Sequence, residues 1–217
     1  MPEMPTMPTV PTMPTMNVQP VILQGAHVRL EPLRADHLDA LCTVGLDETL
    51  WRWSRLVITS RQEMQKFIDT ALDEQTAGVS LPFATTDRHS GKVVGSTRFL
   101  TIDCPNRNVE IGWTWIAPAW QRTAINTEAK YLMLRHAFEQ WGCIRVALKT
   151  DELNERSQAA IARIGAKKEG RFRNHMITST GRIRHSVYFS IIAEEWPAAK
   201  LRLEAMLARK RVTVPRA

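Results

Sequence analysis

At 217 residues, 44% of them hydrophobic and 24% charged, the chain carries enough apolar sequence for one domain with a sizeable core; collagen-like, wholly disordered and disulfide-scaffold classes are excluded. The formal net charge is +7, much of it within 145–185 and in the terminal KRVTVPRA, so an anionic partner is implied. Cys42, Cys104 and Cys143 stand in no CxxC spacing and are odd in number, which argues against a disulfide framework or a zinc site; no metal is expected, and a reducing cytoplasm fits. No apolar run approaches the roughly 18 residues that span a bilayer. The N-terminus also lacks the basic region and apolar stretch of a secretory signal, so no membrane partner is expected.

In chain order, residues 1–20 (MPEMPTMPTVPTMPTMNVQP) repeat Pro, Thr and Met every three residues. Such a segment nucleates neither helix nor central strand and is expected to be a disordered tail, with the functional protein starting near Met16. A single domain is expected over 21–210, followed by a basic tail, 211–217. AHVRLEPL (26–33) alternates like a strand. Asp36 reads as the N-cap of a short helix through Val44. Ser60 with Glu63 forms a capping-box signature for a helix running to about Ala77. Strands follow at 81–87 and 92–103, joined by the turn His89-Ser90-Gly91, and a third from Asn108 to Ile116 is stopped by Pro118. Thr127 to Trp141 has helical apolar spacing, and Ile144–Thr150 reads as a strand. Asn154 caps a helix to Ile164, with Gly165 as its C′ residue. Two strands joined around Ser179-Thr180-Gly181 and a final helix from Ala193 complete the order.

Strands cluster first and then alternate with helices. This predicts an α/β class, an α+β mixed sheet flanked by helices.

The stretch Glu110–Gly170 carries the chemistry. An apolar strand, EIGWTWI, ends at Pro118. It opens into Gln121-Arg122-Thr123-Ala124-Ile125-Asn126 and a long helix, and free amides at such a helix N-terminus suit a phosphate. NERSQAAIARIGA follows a second strand. The ordered set EIGWTWI, QRTAINTEA, NERSQAAIARIGA and EG resembles the acyl-CoA-binding half of the GNAT N-acetyltransferases. Within that superfamily it is similar to the branch of the ribosomal-protein N-terminal acetyltransferases, over about residues 21–200.

The resemblance implies a sheet parted to hold acetyl-CoA and direct transfer of acetyl to an amine. CoA, a polyanion, would then account for part of the basic charge, and nucleic acid is not expected as a partner. Glu110 stands where the family often carries a general base. Ser157, in an N-x-x-S pattern with Asn154, matches the acid that protonates the departing thiolate, and Asn154 would hold the pantetheine arm. Thr114, Trp115 and Ile116 would present backbone amides at a strand bulge. Gln121, Arg122, Thr123, Ala124, Ile125, Asn126 and Thr127 match the pyrophosphate loop, with Ala124 and Asn126 where the family has Gly and Gly or Ala. Neither residue lacks an N–H, but each adds a Cβ at a place that a left-handed conformation would strain. Asp47, Glu48, Trp51 and Trp53 lie in the region that shapes the acceptor pocket; the alternative is that the tryptophans anchor the core and the acids are solvated. Acids and tryptophan faces suit a cationic amine. The expected acceptor is a small-molecule amine, aminoglycoside-type antibiotics included. The alternatives are a protein N-terminal amine, a succinyl-type donor and a non-catalytic acyl-CoA sensor. Relatives often dimerise. His175 and His185 receive no role.

Overall fold

The computed structural model describes residues 16–209. Its element order is β1 (Leu23–Gln24), β2 (Val28–Pro32), α1 (Leu38–Gly45), α2 (Arg61–Thr76), β3 (Ser80–Asp87), β4 (Val93–Asp103) and β5 (Asn108–Ile116), then α3 (Ala124–Arg135), β6 (Arg145–Asp151), α4 (Glu155–Arg163), β7 (Lys167–Ile177), β8 (Ile183–Ile192) and α5 (Trp196–Ala208). The eight strands form one sheet in the order β1-β2-β3-β4-β5-β6-β8-β7. Neighbours are antiparallel except β5 and β6, which are parallel because α3 carries the chain across between them. The mixed sheet predicted from the element order is therefore present.

Several local signals act as read. Ser60 and Glu63 close a reciprocal capping box on α2. Asn154 caps α4 through its side-chain oxygen, and Gly165, at φ 101°, takes the left-handed position that ends it.

Others are corrected. Asp36 does not cap α1; it lies exposed within a short 3-10 turn, Ala35–His37, and pairs with Arg34. α3 begins three residues earlier than its apolar periodicity suggested. Thr123 is its N-cap, and the helix widens into a π turn over His136–Gln140. Met16 and Val18 pack against the core, and Asn17 O accepts from the Trp141 indole at 3.0 Å, so the segment expected to be tail includes packed residues. The Pro/Thr/Met run before Met16 and the basic segment from 210 lie outside the described residues.

Two apolar layers sandwich the β2–β5 half of the sheet. On one face α1 and α2 bury Leu41, Met64, Phe67 and Ile68 with Trp51 and Trp115. On the other, α3 and α5 bury Leu132, Met133, Leu134 and Leu203 against Phe83, Phe99 and Val109. Arg98, 1% exposed, threads the first layer, held by Glu74 at 2.9 Å and lying over the Phe67 and Trp113 rings. Among the described residues, no helix is long and apolar enough to cross a membrane.

Candidate active site

The parallel pairing of β5 with β6 covers only three residues, Asn108↔Arg145, Val109↔Val146 and Glu110↔Ala147. Beyond Glu110 the two strands part. The rest of β5 has β4 on one side and no strand on the other, so its main-chain groups on that side face a cleft.

A bulge sits at the same place. Gly112 opposes Arg98 while Trp115 opposes Ser96, so Trp113 and Thr114 together face the single residue Thr97. Trp113 takes φ 49°, the strained backbone that lets the extra residue in. Gly95 makes room for it, since a Cβ there would meet Trp115 O at 2.1 Å. The bulge swaps the faces of the strand. Trp113 packs edge-on to Phe67 of α2, whereas Thr114 meets Lys130 of α3.

Glu110 lies at the vertex of the cleft, on the α2 face of the sheet. It is 6% exposed, and Lys149 Nζ donates to its Oε2 at 2.8 Å. Burial pushes its carboxyl up from the usual range, while Lys149 and Arg184 pull it back. Lys149, on β6, shares the open face of the C-terminal half of the sheet with Tyr188, Ser186 and Arg184 of β8. A bulge between Phe172 and Met176 in β7, with Asn174 at φ 50°, turns His175 onto this face. His175 Nδ1 lies 2.9 Å from Ser186 Oγ, and its ring lies edge-on to Phe172 and Tyr188. Burial and the neighbouring Lys149 and Arg184 lower its pKa, which keeps it neutral. Asp151, fully buried, takes both Arg182 and Arg184, and Glu169 takes Arg145.

The loop before α3 and the start of α4 flank the cleft. Arg122, not Ala124 or Asn126, is the left-handed residue here, at φ 61°. Ala124, Ile125 and Asn126 form the first turn of α3, so the residues standing in place of glycines add no backbone strain. Thr123 caps that turn and donates to Trp120 O at 2.6 Å. Gln121 ties the two flanks together. Its Nε2 donates to Ile116 O at 2.8 Å, and its Oε1 accepts from Arg156 of α4 at 2.8 Å. Arg163 of α4 donates to Thr127 Oγ1 at 3.1 Å. Two cations, Arg122 and Arg156, are thus exposed beside the free amides of α3. Asn126 Oδ1 is buried without a protein partner. Ser157 is half-buried in the first turn of α4, its amide bonded to Asn154 Oδ1 at 3.0 Å.

Of the four acceptor-side residues expected from sequence, two are spent on structure. Trp51 is a core residue, 2% exposed, whose indole donates to Gly45 O at 2.8 Å. Asp47 is exposed and caps the turn Glu48–Leu50 through Thr49, whose hydrogen bonds lower its pKa. Glu48 is exposed. Trp53 alone reaches the open face, with the Arg182 guanidinium 5.7 Å from its ring. Trp115 and Ile116 are buried, and Ile125 belongs to the core.

Sequence reading missed Lys149, Arg156, Arg184, Tyr188 and Lys130, and it gave His175 no role. Only Lys130 had a local signal, a lysine three and four residues before Met133 and Leu134 on the apolar side of its helix. Arg156 depends on how α4 docks beside the loop before α3, and the others depend on strand register.

The profile of the acetyltransferase (GNAT) domain matches residues 27–167. YdaF of Bacillus subtilis, provisionally named a ribosomal N-acetyltransferase, is 33% identical over 112 residues, 52% of this chain and 60% of YdaF. The chain thus spans less than two thirds of that relative. Among solved structures, a GCN5-related N-acetyltransferase from Brucella melitensis is 34% identical at a TM-score of 0.81, covering 90% of this chain and 89% of its own. A provisionally named acetyltransferase from T. thermophilus is 34% identical at a TM-score of 0.81, covering 88% of this chain and 100% of its own.

Proposed function

The chain belongs to the GNAT acetyltransferase family, and on that footing we propose that it moves the acetyl group of acetyl-CoA directly onto a primary amine. The observation that carries this reading is the parting of β5 from β6 beyond Glu110, beside a bulged strand and two capped helix starts. The residues suit acetyl-CoA. Amides of the first turn of α3, with Arg122 and Arg156, would hold its phosphates. The buried, unpartnered Asn126 Oδ1 offers an acceptor to a pantetheine N–H or O–H, and the open edge of β5 offers main-chain groups to the rest of the arm.

Glu110 takes the proton from the acceptor ammonium, directly or through a water. The freed nitrogen bonds to the thioester carbonyl carbon, amides near Thr114–Ile116 receive the charge that develops on its oxygen, the C–S bond breaks, and the nitrogen sheds its second proton to solvent to give the neutral amide. Ser157 gives its proton to the thiolate and regains one from solvent. Positioned proton transfer of this kind contributes about 10²–10⁴ in rate.

The acceptor we favour is the α-amine of a peptide or protein, ahead of an aminoglycoside-type small molecule. On the open face each acid already holds a cation of the protein: Glu110 holds Lys149, Asp151 holds Arg182 and Arg184, and Glu169 holds Arg145. A polycation would need several carboxylates, each already paired there among the described residues, whereas a single amine needs to draw only Glu110 from Lys149. An α-amine, with an ordinary pKa of about 7.7–8.0, also asks less of its base than a lysine-like amine. YdaF's name points the same way. We assign the reaction to the cytoplasm on the cysteine pattern.

The test is free-thiol release from acetyl-CoA against peptides with varied N-termini, aminoglycosides and polyamines. Turnover of peptides supports the reading, and selective turnover of an amino sugar replaces its acceptor. Binding of acetyl-CoA with no turnover on any amine favours a sensor.

A further inference from the structure

Under the β5 bulge lies a buried lysine that the proposed chemistry leaves unused. Lys130, on α3, is 6% exposed, and its Nζ donates to Thr114 Oγ1 at 2.6 Å and to Thr97 Oγ1 at 3.2 Å. It forms no ion pair among the described residues. Burial alone pushes its pKa down to about 7. A lysine placed in a core without a carboxylate is costly, and this one sits where the strand opens.

The hydrogen inventory around it is short. Thr97 is 1% exposed; its oxygen accepts from Lys130, and its own proton has two destinations, Thr114 Oγ1 at 2.7 Å or the weaker Met133 Sδ at 3.7 Å. The oxygen is the better acceptor by type and distance. Thr114 Oγ1 then accepts twice, from Lys130 and from Thr97, and keeps one proton to give. Within the protein that proton has only Gly112 O, at a long 3.4 Å. Thr114 is exposed, on the stretch of β5 that faces no strand.

We propose that Lys130 and Thr97 are positioning residues that turn the Thr114 hydroxyl into the cleft, where it donates to the thioester carbonyl oxygen and to the negative charge that develops there during transfer. This rests on the acetyltransferase reading and goes beyond it, since the family resemblance assigns Thr114 a backbone amide and Lys130 nothing. A fixed donor aimed at developing charge in a water-poor site is worth about 10²–10³ in kcat. A neighbouring ammonium strengthens the donor by polarising its oxygen.

The experiment uses the full chain with acetyl-CoA and the best amine of the panel. Thr114→Val is expected to lower kcat about 10²-fold with KM for acetyl-CoA little changed, and Thr114→Ser is expected to restore most of it. Lys130→Met should reproduce the Thr114→Val loss, and the double variant should be no slower than the worse single one, because Lys130 acts through Thr114. Lys130→Met also removes an unpaired buried charge, so its thermal midpoint should hold or rise; a variant that melts early is replaced by Thr97→Val, with the same kinetic expectation. A second readout needs no turnover. With acetyl-CoA labelled at the carbonyl and no amine present, the C=O infrared band of the bound thioester should lie lower in the wild type than in Thr114→Val or Lys130→Met. An unchanged kcat in Thr114→Val, a loss confined to KM, additive losses in the double variant, or identical carbonyl bands would each overturn the proposal. If calorimetry detects no acetyl-CoA binding by the wild type, the acetyltransferase reading falls and this inference with it; binding with identical bands sinks the inference alone.

Discussion

The two halves of the sheet use the same secondary structure for opposite ends. From β2 to β5 the sheet is covered on both faces, and its interior is mostly apolar, with Arg98, Glu128, Lys130 and a few hydroxyl side chains as buried exceptions. From β6 through β8 to β7, α4 and α5 cover one face, while the other carries Lys149, Asp151, Arg184, Ser186, Tyr188 and His175. The first half is a scaffold, and the second supplies a polar floor that no helix covers. The cleft lies at their seam, where pairing stops after three residues. A parting strand pair leaves main-chain groups without partners, which a core cannot tolerate but a ligand cleft can use.

The sharpest way to break this comparison is at the vertex. Glu110→Gln should lower kcat/KM about 10²–10⁴-fold, measured by thiol release, while calorimetric binding of CoA stays the same. Equal activity in the variant would remove Glu110 from the chemistry. The halves should also differ in stability. Phe99→Ala, in the covered half, should cost about 3–5 kcal/mol in urea unfolding, and Phe172→Ala, 52% exposed on the floor, about 0.5 kcal/mol or less. Similar losses at both would mean that the floor is as structural as the scaffold.

A smaller effect is expected at the mouth. Arg122→Gly relieves a left-handed arginine yet removes the proposed phosphate contact, so KM for acetyl-CoA should rise roughly 10–100-fold, the equivalent of a charged hydrogen bond. A gain in stability with no change in KM would make Arg122 a turn residue only.

The finest test is a pH profile. The proposed reaction needs Glu110 as the carboxylate, and burial raises its pKa, so the acid limb of kcat/KM should lie above the ordinary glutamate value. Lys149 stabilises the carboxylate, so Lys149→Met should move that limb further up. A limb that stays put, or moves down, would show that another group controls it.

Local sequence determined most of the elements, because caps, turns and periodicity act within a few residues. Ser60 with Glu63, Asn154, Gly165 and the alternation of 26–33 needed no partner to be legible. It also grouped the candidate residues, since Glu110, Asn154, Ser157 and the loop 121–127 lie in one ordered stretch, and the structure places them around one cleft. Where Ala124 and Asn126 raised a doubt about strain, the outcome turned on where the helix begins; Thr123 caps it early, and Arg122 takes the positive φ instead.

What only the tertiary structure decided depends on register and burial. Trp51 and Trp53 are two residues apart, yet one is a core anchor and the other reaches the open face, because the α1–α2 connection folds back onto Phe67 and Trp115. Lys149 meets Glu110 across a parallel pair 39 residues apart in sequence. His175 joins them only because β7 bulges by two residues. Lys130 reaches Thr114 only because a one-residue bulge in β5 swaps the face of Thr114. A side chain's type is written in the chain, but the face it shares and the partners that shift its proton are set by long-range pairing, which no local pattern encodes.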